Sequence, residues 1–231
     1  MITDILRPLV HFFDGKNILI TGGAGTIGSE LARQLLNSGL KSLILIDSNE
    51  TAVFFLRDSF KHDDRVKCLT CDIKEYDQLK RLTEGIDYLF HTAALKHVPS
   101  CEFNPFASVS TNVNGVINII NACQDSGVKK ALFTSSDKAV NPANVMGATK
   151  LTGEKLFIGA NNFSSVRGCK FISCRFGNVV GSSGSVIPLF IDQIKNSGVL
   201  NLTHPEMTRF VMSLREATAL VIEAMTEAND G

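Results

Sequence analysis

Short apolar runs alternate with longer stretches whose apolar positions recur at helical spacing, and this rhythm runs through most of the chain. Residues 16–21, 42–46, 66–70, 88–92, 130–134 and 170–174 read as buried strands. Between them, residues 26–37, 49–60, 76–83, 105–126 and 145–161 read as helices. Strands that are apolar throughout, joined by helical crossovers, predict an α/β fold with a parallel sheet covered on both faces. Residues 1–15 carry Ile2, Ile5, Leu6, Leu9, Val10 and Phe13 at amphipathic spacing and predict a short packed helix. After Arg175 the rhythm changes. Residues 177–184 are rich in Gly, Ser and Asn, and the segments 187–195, 199–202, 209–212 and 214–228 form a separate, smaller portion.

Composition narrows the class of partner. With 231 residues, 44% of them hydrophobic and 20% charged, the chain is of ordinary globular make-up. Lys plus Arg equals Asp plus Glu at 23 each, so no net field recommends nucleic acid, and an anionic ligand must be held by local groups. No apolar run approaches a bilayer span, and the first 15 residues lack the basic start and apolar stretch of a signal peptide. A cytoplasmic protein is the expectation. Cys68 and Cys71 form a CxxC inside a strand-like segment, with no second pair at zinc-ligand spacing, so no metal site is expected.

The sharpest local signal is Thr21-Gly22-Gly23-Ala24-Gly25-Thr26-Ile27-Gly28, which follows a strand and opens a helix. In that setting the glycines allow a tight turn and close backbone approach, and the N–H groups at the helix start face a pyrophosphate. Asp47 ends the second strand nineteen residues beyond Gly28, where a carboxylate accepts hydrogen bonds from ribose hydroxyls and repels a 2′-phosphate. This predicts a Rossmann-type doubly wound sheet and NAD in preference to NADP. Asp72 closes the third strand and reads equally as a contact to the adenine edge or as a helix cap before Tyr76.

Further along, His91-Thr92-Ala93-Ala94-Leu95-Lys96-His97-Val98-Pro99, Thr111-Asn112-Val113, Ser135-Ser136-Asp137-Lys138, Asn144-Val145-Met146-Gly147-Ala148-Thr149-Lys150, Arg175-Phe176-Gly177-Asn178-Val179, Gly184-Ser185-Val186 and Pro205-Glu206-Met207-Thr208-Arg209-Phe210 appear in order. Together they resemble the extended short-chain dehydrogenase/reductases, in particular the polysaccharide-biosynthesis branch of UDP-N-acetylglucosamine 4,6-dehydratases. The resemblance covers residues 15–224. It implies that NAD takes hydride from C4 of a UDP-N-acetylhexosamine, a base removes the C5 proton, an acid assists loss of the 6-hydroxyl as water, and the hydride returns to C6. The product is a 4-keto-6-deoxy sugar for surface polysaccharide or glycan synthesis.

By that resemblance Asp137 is the general acid, Lys138 the base at C5, and Lys150 the group that binds the nicotinamide ribose. An acid beside a base needs the Asp kept protonated and the Lys kept neutral, which mutual proximity opposes, so burial or a shared proton has to win. Met146 stands where most short-chain dehydrogenases carry Tyr, and Ser136, activated by Lys150 or water, is the candidate base for the C4 hydroxyl. The remaining cofactor set is Gly22, Gly25, Thr26, Ile27, Gly28, Asp47, Asp72, Ile73, Ala93, Ala94 and Lys96. The substrate set implied by the resemblance is Lys96, His97, Met146, Asn178, Ser185, Val186 and Arg209, of which Asn178, Ser185 and Arg209 resemble a nucleotide-diphosphate clamp. Asn112 is expected to tie strands together through its amide.

These assignments divide the chain into a NAD-binding domain at 1–176 and a substrate-binding portion at 177–231. Relatives by this resemblance continue further, so the second portion reads as truncated and exposed apolar surface is expected there. A nucleotide-sugar epimerase and a non-catalytic NAD-binding module are the alternatives, and homo-oligomerisation is left open. The Ser136-Asp137-Lys138 set separates enzyme from module, since a module has no use for an acid beside a base.

Overall fold

The structure is a computed structural model that describes residues 11–164, 168–182, 184–202 and 204–228. Most of the predicted N-terminal helix lies outside the described residues; His11–Phe13 forms one 3-10 turn that buries Phe13 against Tyr88 and Phe90.

In chain order the elements are β1 (Asn17–Thr21), α1 (Thr26–Leu35), β2 (Ser42–Asp47), α2 (Glu50–Ser59), β3 (Val66–Thr70), α3 (Tyr76–Thr83) and β4 (Tyr88–His91). Then come α4 (Val98–Phe103), α5 (Pro105–Val109), a π turn (Ser110–Asn114), α6 (Gly115–Ser126), β5 (Lys130–Ser136) and α7 (Val145–Gly159). Beyond these lie β6 (Lys170–Phe176), β7 (Asn178–Val179), α8 (Val186–Ser197), β8 (Val211–Met212) and α9 (Leu214–Glu227). The six strands β1–β6 form one parallel sheet in the order β3-β2-β1-β4-β5-β6. Two walks outward from β1 leave a crevice at its carboxyl end, where ligands of doubly wound sheets bind.

The predicted pattern explains the layers. Successive residues of β1 alternate faces, so Ile18 and Ile20 join one buried cluster while Leu19 joins the other. The first cluster packs α1 and α9 on the sheet, and the second packs α3, α6 and α7. The helix predicted at 105–126 is present but contains the π turn, whose wider winding buries Asn112. Asn112 does not tie strands together as expected. Its Nδ2 donates to Leu95 O (2.9 Å) and Thr149 Oγ1 (3.1 Å), and its Oδ1 accepts from Leu95 N (2.8 Å), stitching the loop after β4 to α7.

β7 and β8 form a separate two-stranded sheet, but α9 returns to the large domain and buries Ala217, Thr218, Val221, Ile222 and Met225 there. Its start is secured by a capping box between Ser213 and Glu216. On the free edge of the sheet, Asn161 donates to Phe171 O and accepts from Phe171 N, both at 2.8 Å. Among the described residues no helix is long and apolar enough to cross a membrane.

Candidate active site

Two loops meet at the crevice. Gly22 has φ +69°, and a Cβ there would lie 2.7 Å from Ala93 N, so the turn after β1 is pressed against the loop after β4. A Cβ at Gly28 would lie 2.3 Å from Gly22 O, which lets α1 start directly beneath that turn. Gly25 caps α1 without a side-chain bond, so the first-turn backbone, including Ile27, is offered to a ligand by a helix with no acidic residue in that turn. Asp47 accepts from Ala24 N (3.3 Å) and Asn49 N (3.1 Å), which sets its carboxylate beside the glycine turn. These features fit a dinucleotide pyrophosphate with an unphosphorylated adenosine ribose.

Asp72 is not the cap of α3, a role that falls to Glu75. Its Oδ1 accepts from Lys74 N (3.0 Å) and its other oxygen pairs with Lys74 Nζ (3.2 Å). The Ile73 side chain packs in the core against Gly115, leaving only its backbone to meet a ligand. Ala93 and Ala94 follow the strand end and lie half-buried beside the glycine turn, while Lys96 and His97 are exposed. A Cβ at Gly184 would lie 2.4 Å from His97 Cε1, so the His97 ring closes on the loop that leads to α8.

At the end of β5 the chain presents Ser136, Asp137 and Lys138. Ser136 Oγ donates to Asp137 Oδ1 (2.8 Å) and accepts from Lys138 N (3.2 Å), and Lys138 Nζ donates to the same Oδ1 (3.1 Å) and to Asn178 Oδ1 (2.7 Å). Burial alone would raise the Asp137 pKa, but the hydrogen bonds from Ser136 and Lys138 outweigh it and hold the carboxyl below the usual range. The protonated Asp137 expected from burial is therefore absent from this resting geometry, which is an ion pair. Asp137 and Lys138 border a cavity of about 420 Å³ that also meets Asn144, Arg209, Val98 and Phe210, while Ser136 reaches it only through its hydrogen bond to Asp137. Arg209, exposed, donates to Thr208 O (2.7 Å).

Lys150 is not a helix-surface residue. It is buried, donates to Thr134 O (3.0 Å), and sets its ammonium 4.6 Å from the centroid of the Phe133 ring. Burial lowers its pKa to about 8. The ammonium bonds to Thr134 O, whereas the hydroxyl of Ser136 donates to Asp137 Oδ1. Met146, expected at the substrate, is buried and does not border the cavity. Ser185 caps α8 and has a buried Oγ with no partner among the described residues, and Val186 is exposed.

Several supporting groups went unrecognised in the sequence. His91 shares a 2.7 Å hydrogen bond with Thr21 Oγ1, its Nε2 is buried without a partner among the described residues, and burial with Lys150 nearby lowers its pKa to about 3. Glu154, four residues after Lys150, is buried and held by Arg175 through two contacts (2.7 and 2.5 Å). Burial would raise its pKa, yet the Arg175 bonds lower it, so an anion stands close to Lys150. The Lys150-x-x-x-Glu154 spacing was a readable signal for that neighbour.

Residues 18–231 match the profile of the family described as polysaccharide biosynthesis protein. The chain belongs to that family. It has the extended short-chain dehydrogenase/reductase fold. It is 47% identical over 227 residues to the uncharacterized membrane protein MJ1061 of Methanocaldococcus jannaschii, covering 98% of this chain and 68% of that protein. It is 39% identical over 220 residues to the UDP-N-acetylglucosamine 4,6-dehydratase (inverting) of Campylobacter jejuni, covering 95% and 66%. Identity to the UDP-glucose 4-epimerase of Rickettsia massiliae is 40% over 227 residues, covering 95% and 65%. The X-ray structure of Pen from Bacillus thuringiensis is 45% identical with TM-score 0.93, covering 95% of this chain and 70% of that one. The chain thus spans about two thirds of the length of the curated relatives it matches.

Proposed function

We propose that this chain carries the NAD-dependent 4,6-dehydration of a UDP-N-acetylhexosamine, UDP-N-acetylglucosamine first among them. The observation that carries this reading is the Ser136-Asp137-Lys138 cluster at the carboxyl edge of β5, whose Asp137 and Lys138 open to a cavity that also meets Arg209. NAD, when bound, supplies an acceptor and later a donor of hydride for the sugar ring. Gly22, Gly25, Thr26, Ile27 and Gly28 hold its pyrophosphate, Asp47 its adenosine ribose, and Lys150 its nicotinamide ribose. Asp72 with the Ile73 backbone meets the adenine, and Ala93, Ala94 and Lys96 border the cofactor crevice.

The residues divide the remaining work. The C4 hydroxyl loses its proton to Ser136, whose own proton passes to Asp137 along the 2.8 Å hydrogen bond. That transfer also leaves Asp137 protonated, which is the state an acid needs. Lys138, its ammonium proton released to solvent as the sugar binds, then takes the C5 proton. Asp137 gives its proton to the departing 6-hydroxyl, which leaves as water, and Lys138 returns a proton to C5 once C6 has regained hydride. Arg209 and Ser185 face the diphosphate, Arg209 as a charged fork. His97 and Val186 shape the surroundings of the sugar.

The reading is tested by incubating the protein with NAD and UDP-N-acetylglucosamine in heavy water and analysing the sugar by mass spectrometry and proton NMR. Loss of one water with deuterium gained at C5 is expected. An inverted C4 centre without water loss or C5 deuterium would make the protein an epimerase. Unaltered sugar from folded, NAD-loaded protein would make it a binding module.

A further inference from the structure

The structure assigns Asn178 a task other than the diphosphate clamp: we propose that it is the positioning residue that aims the Lys138 amine. The proposal rests on the dehydratase reading for what that amine does. Its basis is geometric. Lys138 Nζ donates to two oxygens, Asn178 Oδ1 at 2.7 Å and Asp137 Oδ1 at 3.1 Å. A neutral amine has two N–H bonds and one lone pair. With both N–H bonds committed to these acceptors, the lone pair takes the single tetrahedral direction left.

An amide suits this place better than a carboxylate would. Its oxygen accepts a hydrogen bond without adding a second negative charge that would favour the ammonium. The charged groups around Lys138 are Asp137 in its own turn and Arg209 across the cavity, while Asn144 at the start of α7 is neutral.

Asn178 is itself held through its backbone. Its N–H donates to Phe210 O (2.9 Å), its Cα pairs in register with Val211, and Val180 N donates to Met212 O (3.0 Å). A Cβ at residue 177 would lie 2.8 Å from Phe210 O, so Gly177 lets the two segments close. The segment that ends in Arg209 and Phe210 therefore sets the height of Asn178, and through it the amine. Binding at the Arg209 end and the aim of Lys138 are joined by one short sheet.

The test compares wild type with Asn178→Ala and Asn178→Asp, each checked for native thermal unfolding and NAD affinity. Deuterium entry at C5 at saturating UDP-N-acetylglucosamine is read against pH, and UDP affinity is read by calorimetry. Asn178→Ala is expected to slow C5 exchange by about tenfold or more while UDP affinity changes by less than about threefold. Asn178→Asp keeps an acceptor, recovers much of the rate, and moves the exchange profile roughly one pH unit upward because the added carboxylate favours the ammonium. A large loss of UDP affinity with exchange at saturation unchanged would overturn the proposal and return Asn178 to the clamp.

Should wild type exchange no proton in any UDP-hexosamine, the dehydratase reading fails and a second measurement still decides the contact. In protein carrying ¹⁵N-lysine, the ammonium resonance lost in Lys138→Met is expected in wild type and absent in Asn178→Ala. The same resonance in both would show that Asn178 does not hold Lys138.

Discussion

The two sheets of this molecule use apolar residues in opposite ways. In the six-stranded sheet the strand residues Ile18, Leu19, Ile20, Leu43, Leu45 and Phe90 are wholly buried. Around the two-stranded sheet, α8 has the same apolar richness, yet none of its residues is buried, and Ile187, Leu189, Ile191 and Ile194 face out. Phe210 beside it is 84% exposed. Apolar content alone therefore does not decide burial. The large sheet has a helical layer on each face, while α8 has nothing of this chain, among the described residues, laid over its outer side. The predicted exposed apolar surface is present there.

The strongest way to break this contrast is to cut equally on both sides. Phe171→Ala, in the large core, is expected to cost about 4 kcal/mol in urea unfolding. A loss below about 1 kcal/mol would mean that the large domain is looser than its burial indicates.

Acid comes next. His91 is held neutral well below its ordinary pKa of 6.5, at about 3. The unfolded chain therefore binds the proton first. This part of the stability is complete above pH 6.5 and is lost as pH falls toward 3, by roughly 5 kcal/mol in all. Replacing His91 with Gln is expected to flatten that acid limb, and one histidine resonance should stay unmoved between pH 5 and 8 in wild type.

Lys150 works in the other pH range, with its pKa lowered from 10.5 to about 8. Below pH 8 the fold carries a buried ammonium that it disfavours, and stability rises as pH climbs from 8 toward 10.5. Lys150→Met should therefore gain about 3 kcal/mol at neutral pH, lose that alkaline rise, and weaken NAD binding. A destabilised variant would mean that the bond to Thr134 and the Phe133 ring outweigh the cost of burial.

The smallest expected effect sharpens the contrast from the outer side. Phe210→Ala and Ile194→Ser should each alter stability by less than about 0.5 kcal/mol, as solvent already covers both side chains. A cost comparable to that of Phe171→Ala would reveal that the outer face is covered in solution.

Much of the large sheet was legible because a parallel strand buried on both faces needs apolar residues at every position, as in residues 18–20 and 43–46. α4 was missed for the complementary reason. It has six residues, places Pro99 in its first turn, and leaves Phe103 94% exposed, so it has no amphipathic stripe. The run at 199–202 is apolar but forms no regular element.

At the candidate site, positions were readable and states were not. The order strand, glycine turn, helix, acid located Gly22 to Asp47, and Ser136 to Lys138 came from the motif after the fifth strand. The ionisation of Asp137 depends on where Ser136 Oγ–H points, and the burial of Lys150 depends on the Phe133 ring beneath it. Neither is a local property of the chain.

Asn161 has a consequence for how molecules of this protein meet one another. Strand β6 is the rim of the large sheet, and a bare rim is a template on which another chain can zip. Asn161 occupies one rung of that ladder by answering both backbone groups of Phe171 with a single amide. Among the described residues, the next outward rungs, at Ser173 and Arg175, have no such stopper. The rim, among those residues, is plugged at its amino half and uncovered at its carboxyl half, beside the Glu154–Arg175 pair.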